Sequence, residues 1–189
     1  MTGPALEKSK FAVAAAAGQK FGLSATAFAA GLGPWTVRQW LQREHVERRH
    51  QPENGLEGKF EAIELLRVAL LAELAHIACN NIGDMASFTR ALPAKCLDGG
   101  PWFYACWSGP RDIDRTNPDA APRHRMVFDP NAPLAGGGVF LRHDLPALFE
   151  DPNKWGVLVV PLAPLEERIS ARLQSYVDRT QKRGRERDE

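Results

Sequence analysis

The chain has 189 residues, 44% hydrophobic and 25% charged, which suits one or two soluble domains with a real buried core. Its 24 Lys and Arg against 23 Asp and Glu leave a formal net charge of +1, so any attraction for nucleic acid must come from a local basic surface. No stretch reaches the ~18 apolar residues of a membrane span, so no membrane partner is expected and the location expected is cytoplasmic.

Residues 1–20 form an Ala-rich arm of low complexity, expected to be flexible. Its apolar run "AVAAAAG" is short and Ala-dominated, which favours a helix or frayed tail over a signal peptide. From Ser24 to Leu41 two short helical patterns are separated by Gly31-Leu32-Gly33. Ser24 suits an N-cap, and Pro34 suits the first position of the second helix, where its missing N–H is not needed.

A polar stretch then carries Pro52, Asn54-Gly55 and Gly58, and Asn-Gly predicts a tight hairpin because both residues tolerate positive φ. Phe60 to Ala78 predicts a long helix with a broad apolar face, and Ile82 to Leu92 a shorter one ending before Pro93. A domain boundary is expected near 93–100.

Beyond it, "PWFYACW" (101–107), "RMVF" (125–128), "GVFLR" (138–142) and "GVLVVPL" (156–162) read as strands. The segment 108–123 reads as a surface loop and the glycines at 136–138 as a flexible turn. His143-Asp144 is expected to cap a helix at Leu145–Phe149. A last helix over Pro164 to Arg179 carries Leu165, Ile169, Leu173 and Tyr176 in one stripe, which packs on its own domain or forms a subunit contact. Residues 181–189 read as a charged tail.

Cys79, Cys96 and Cys106 contain no CxxC pair and are expected to be reduced thiols. His76 and Cys79 lie three apart on a helix but lack a second ligand pair, so no metal or other cofactor is expected. The aromatic run Trp102, Phe103, Tyr104 and Trp107 reads as core ahead of a ligand pocket. Neither a nucleophile elbow nor an HExxH motif is present, so an enzyme is not expected.

The functional expectation rests on residues 24–43. Two helices crossing over a tight turn need a small residue where they touch, a Gly in the turn and a branched apolar residue in the second helix. Ala27, Gly31 and Val37 stand at those places. With Val37 and Trp40 facing inward, Trp35, Thr36, Arg38, Gln39, Gln42 and Arg43 face largely out, a set suited to base edges and phosphates.

The order of "TVRQWLQREHV" (36–46), "RRHQPENGLEGKF" (48–60), "AIELLRVALLAELAHI" (62–77) and "NNIGDMASFTRAL" (80–92) resembles the winged helix-turn-helix DNA-binding domain of the MerR family, over about residues 21–92. The resemblance implies that Thr36, Arg38 and Gln39 face bases or adjacent phosphates. It places Arg43 near the backbone and Arg48, Arg49 and Lys59 on the wing. The wing sequence Gly55-Leu56-Glu57 departs from the family's usual Gly-Tyr-Arg, and the cysteines do not reproduce its metal-sensing arrangement. Residues 38–67 hold six Lys/Arg and six Asp/Glu, which favours a dimer that doubles the phosphate contacts.

The fold expected is therefore α+β. A flexible arm (1–20) precedes a mostly helical winged helix-turn-helix domain (21–95), and a small α+β effector or dimerisation domain (96–180) with a C-terminal helix precedes the charged tail. The function expected is a sequence-specific transcriptional regulator that binds double-stranded DNA as a homodimer, with a small-molecule or protein effector at the C-terminal half. Two alternatives are a phage-type excisionase or packaging adaptor, and a protein-interaction module that has lost DNA binding.

Overall fold

The structure, a computed structural model, describes residues 10–48, 58–77, 82–98, 102–108, 134–151 and 155–188. Among these residues seven α-helices and three strands follow in the order α1 (Lys10–Ala16), α2 (Leu23–Ala30), α3 (Pro34–Gln42), α4 (Ala62–Ile77), α5 (Ile82–Arg90), β1 (Trp102–Ser108), β2 (Leu134–Leu141), α6 (Leu145–Glu150), β3 (Trp155–Pro161) and α7 (Leu162–Asp188). This is the α+β class expected. The segment "RMVF", Arg49, Cys79 and the Asn54-Gly55 hairpin lie outside the described residues.

Helix α4 is the centre of the molecule. Leu65, Leu66, Val68, Leu70, Leu71 and Leu74 are all fully buried, which wraps apolar side chains around most of its circumference. Such burial stabilises by roughly 1.5–3 kcal/mol per large side chain. Its first turn is closed by Glu64, a buried residue whose carboxylate accepts the Glu61 N–H at 2.7 Å. That arrangement satisfies a helix-end donor that otherwise lacks a partner.

Around α4 pack α1, α2, α5 and α7. The Ala-rich arm is helical over Lys10–Ala16, and its Phe11 is 1% exposed. Phe11 stacks near Phe21 with ring centroids 6.3 Å apart, and its N–H donates to Ser170 Oγ of α7 at 3.0 Å. The described part of the arm is thus a packed element, held by one aromatic side chain that its Ala-rich neighbours obscure.

The sheet has the order β2-β1-β3, with both outer strands antiparallel to β1. Trp102, Tyr104 and Cys106 turn toward the main core, as strand alternation requires. The glycines at 136–138 lie inside β2, not in a turn. A Cβ at Gly136 would stand 2.6 Å from the Trp107 ring, and one at Gly137 would stand 2.6 Å from the Tyr104 hydroxyl and 3.1 Å from Phe88. These glycines admit large neighbouring side chains against the strand.

Two further local expectations are corrected. Helix α2 begins at Leu23 with Gly22 as its N-cap, and Ser24 falls inside the first turn. The reason is tertiary: Leu23 is buried, and Phe21 is tied to Phe60 by a two-bond antiparallel bridge (2.8 and 2.7 Å), which brings the chain into the helix early. Asp144 precedes α6 without capping it. Its carboxylate accepts the Leu141 N–H at 3.3 Å instead and so closes the turn at Arg142–Asp144.

Helix α7 has 27 residues and extends the expected last helix in both directions, through most of the charged tail. Leu165 and Ile169 are buried, and Leu173 packs beside them, against the chain's own core. A single hydrophobic cluster runs from Phe11 through α2, α3 and α4 to Tyr104, Val160 and Ile169, crossing the boundary expected near 93–100. Among the described residues, no helix is long and apolar enough to cross a membrane.

Candidate nucleic-acid interface

Helices α2 and α3 meet over the three-residue turn Gly31-Leu32-Gly33. Gly31 has φ 75°, a left-handed conformation that suits glycine. Its N–H donates to Phe28 O (3.1 Å) and the Leu32 N–H to Ala27 O (2.8 Å), the paired bonds that terminate a helix while satisfying its last carbonyls. Gly33 then returns to extended backbone, and Pro34 opens α3 as its first residue. The turn is therefore fixed on both sides by backbone geometry.

Where the helices cross, Ala27 and Val37 are both fully buried, and Trp40 is 6% exposed. The side chain of Ala27 is small enough for close approach, as its spacing to Gly31 and Val37 implies. The opposite face of α3 is open: Trp35 is 65% exposed, and Arg38, Gln42 and Arg43 are exposed. Thr36 and Gln39 are half-buried on the flank. The inward and outward assignments of α3 therefore agree with the sequence, with Thr36 and Gln39 less accessible than the others.

The end of α3 repeats the device seen at Gly31, without glycine. Glu44 holds φ 57°, its N–H donates to Leu41 O (3.1 Å), and the His45 N–H donates to Trp40 O (2.8 Å). Beyond it, Val46 is buried and Glu47 pairs with Arg90 of α5 at 3.4 Å. This contact joins the segment after α3 to the second helical pair.

The residues expected on a wing divide in their placement. Lys59 is exposed. Arg48 turns inward: its Nη1 donates to Gly58 O at 3.3 Å, and its guanidinium lies 6.0 Å above the Phe60 ring. It thereby joins the two ends of the segment between them. The Phe21–Phe60 bridge anchors the same return to the strand-like residue preceding α2.

A feature the sequence reading missed lies along α2 at Phe28, Ala29 and Gly31, beside the turn into α3. Helix α7 runs across it, and Arg172 Nη1 donates to Ala29 O at 3.3 Å, lying over Gly31. Phe28 meets Tyr176 with ring centroids 5.7 Å apart, and the Arg179 guanidinium lies 5.2 Å above Phe28. The signal was the spacing of Arg179, the last residue of the expected helix, and Arg183 in the expected tail, four apart and so on one face if the helix continues.

Among the described residues, no group of three or more His, Cys, Asp or Glu is arranged to hold a metal ion. Tyr104 and Cys106 titrate abnormally, but through burial: desolvation, followed by the neighbouring Cys106, raises the Tyr104 phenol well above its ordinary value. Burial also pushes the Cys106 thiol up to about 12. Both are buried side chains of the core. No protein-family model matches the chain, and no curated protein shows significant similarity to it.

Proposed function

We propose that this chain is a sequence-specific DNA-binding regulator that works as a homodimer, with α2 and α3 as a helix-turn-helix and α3 as the helix that enters the major groove. One observation carries the reading. A short helix is locked at both ends and through Val37 and Trp40, while its other face offers Trp35, Arg38, Gln42 and Arg43 to solvent. Planar donors on a rigid helix are the groups that read base edges.

The return of the chain from Arg48 to the Phe21–Phe60 bridge supports a MerR-like winged arrangement, with Lys59 at its base. The size of α3 suits a dimer. At nine residues α3 is roughly 13 Å long, enough for one half-site, and two copies reach the contact number that useful affinity needs. The C-terminal half, with its sheet and α7, is the part we assign to an effector.

Gel-shift and footprinting with genomic fragments at two salt concentrations test the reading. Sequence-selective protection is expected, weaker at the higher salt. Arg38→Ala combined with Gln39→Ala is expected to reduce discrimination between fragments by about 1–3 kcal/mol per lost base contact. Absence of selective binding at low salt sinks it.

A second reading has its own observation. Arg48 turns inward, and Trp35 is the most exposed of the large hydrophobic residues described. An exposed Trp beside few available cations also suits a protein partner. In that case Trp35→Ala abolishes capture of the partner while the Arg38/Gln39 double variant leaves it intact.

A further inference from the structure

The cleft beside Phe28 has a chemistry that the α3 surface does not supply. It encloses about 220 Å³ and is lined by Phe28, Tyr176, Arg179, Thr180 and Arg183. Among the described residues no carboxylate lines it. Asp178, the nearest acid along α7 among the described side chains, accepts a hydrogen bond from Gln174 Nε2 at 2.9 Å, and the Thr180 hydroxyl donates to Tyr176 O at 2.8 Å. Two guanidiniums one helical turn apart therefore share a wall with two aromatic rings.

The Arg179 guanidinium lies over the Phe28 ring, and a guanidinium so placed can still bind phosphate through its N–H edge. Phe28 lies on α2 one turn before Gly31, so the cleft is built on the first helix of the proposed helix-turn-helix. In that motif the first helix crosses the nucleic-acid backbone. The segment 38–67 is balanced at six basic and six acidic residues, so the phosphate attraction missing there has a source on α7.

We infer that the Arg179–Arg183 cleft is a second DNA contact, seating a backbone phosphate of the same duplex that α3 reads. This rests on the DNA-binding reading above. It adds that α7 supplies affinity without sequence information, while α3 supplies selectivity.

The test uses the full-length chain, the variants Arg183→Gln and Arg179→Gln/Arg183→Gln, and two labelled duplexes: a footprinted fragment and a scrambled one of equal length. Loss of the two charges is expected to weaken both duplexes alike, about 10- to 100-fold near 0.1 M salt. The slope of log affinity against log salt is expected to fall by about two, or by about one for Arg183→Gln alone. Arg183→Gln leaves the Arg179–Phe28 stack in place, so its thermal midpoint is expected to match the wild type and a folding defect cannot explain its loss.

Unchanged slopes in both variants, with selective wild-type binding, overturn the α7 contact and leave the α3 reading standing. Calorimetric titration with inorganic phosphate separates a small-anion site: saturable binding, lost in the double variant while DNA slopes stay unchanged, also overturns the proposal. A wild-type chain that binds neither duplex removes the DNA reading and this contact together.

Discussion

Glu44 holds a left-handed backbone conformation that costs an L-residue about 1 kcal/mol relative to glycine, and it does so to end α3. Glu44→Gly is therefore expected to raise stability by up to about 1 kcal/mol in urea denaturation, offset in part by the freer unfolded chain. It also removes a carboxylate next to Arg43, so duplex affinity is expected to rise at low salt. Gly31 is the opposite case. Its positive φ and the Arg172 side chain lying over it predict that Gly31→Ala destabilises by roughly 1–2 kcal/mol in the same measurement. Cys106 gives a pH dependence. Its thiol is raised from 9.0 to about 12, so the folded state favours the protonated form. That contribution is complete below pH 9 and is lost as pH rises toward 12, and Tyr104 acts in the same sense. Stability measured at pH 7.5 and 10.5 is expected to be lower at the alkaline value, and Cys106 is expected to react with a thiol reagent only on unfolding.

Helices α2 and α3 were legible because their determinants are local. Pro34, the Gly31 turn and the spacing of Val37 and Trp40 act within a few residues, and the structure places each as expected. The start of α2 was not, since the buried Leu23 and the Phe21–Phe60 bridge outweigh the capping preference of Ser24. The glycines of β2 were misread for a related reason. Glycine marks a turn by its own freedom, but it marks a strand only through the size of what lies opposite, here Trp107 and Tyr104. Gly136→Ala and Gly137→Ala are each expected to cost about 1–3 kcal/mol by overpacking, whereas exposed Gly33→Ala is expected to cost much less. The extent of α7 was underestimated because its last turns carry no apolar stripe. Gln, Lys and Arg extend the helix there by intrinsic preference. The outward face of α3 could be read from periodicity, whereas the inward turn of Arg48 depends on Phe60 and Gly58, ten or more residues away.

At the scale of the whole molecule, a shared core predicts shared stability. Ile169 is fully buried in the same cluster as Ala27 and Leu66. Ile169→Ala is therefore expected to cost about 2–5 kcal/mol, and far-ultraviolet dichroism and tryptophan fluorescence are expected to report one coincident unfolding transition. Two separate transitions would contradict a continuous core. The closing element has a further consequence, in time. The Phe11 N–H finds its acceptor on Ser170, 159 residues later in the chain, and α7 covers α1 and α2 only after the elements between them have been made. Contacts between distant chain segments form slowly, and a nascent chain emerges from its N-terminus. During synthesis the side of α1 and α2 that α7 covers therefore waits exposed until α7 leaves the ribosome. A message broken before α7 would yield a product with that surface permanently bare, a natural substrate for chaperones and proteases.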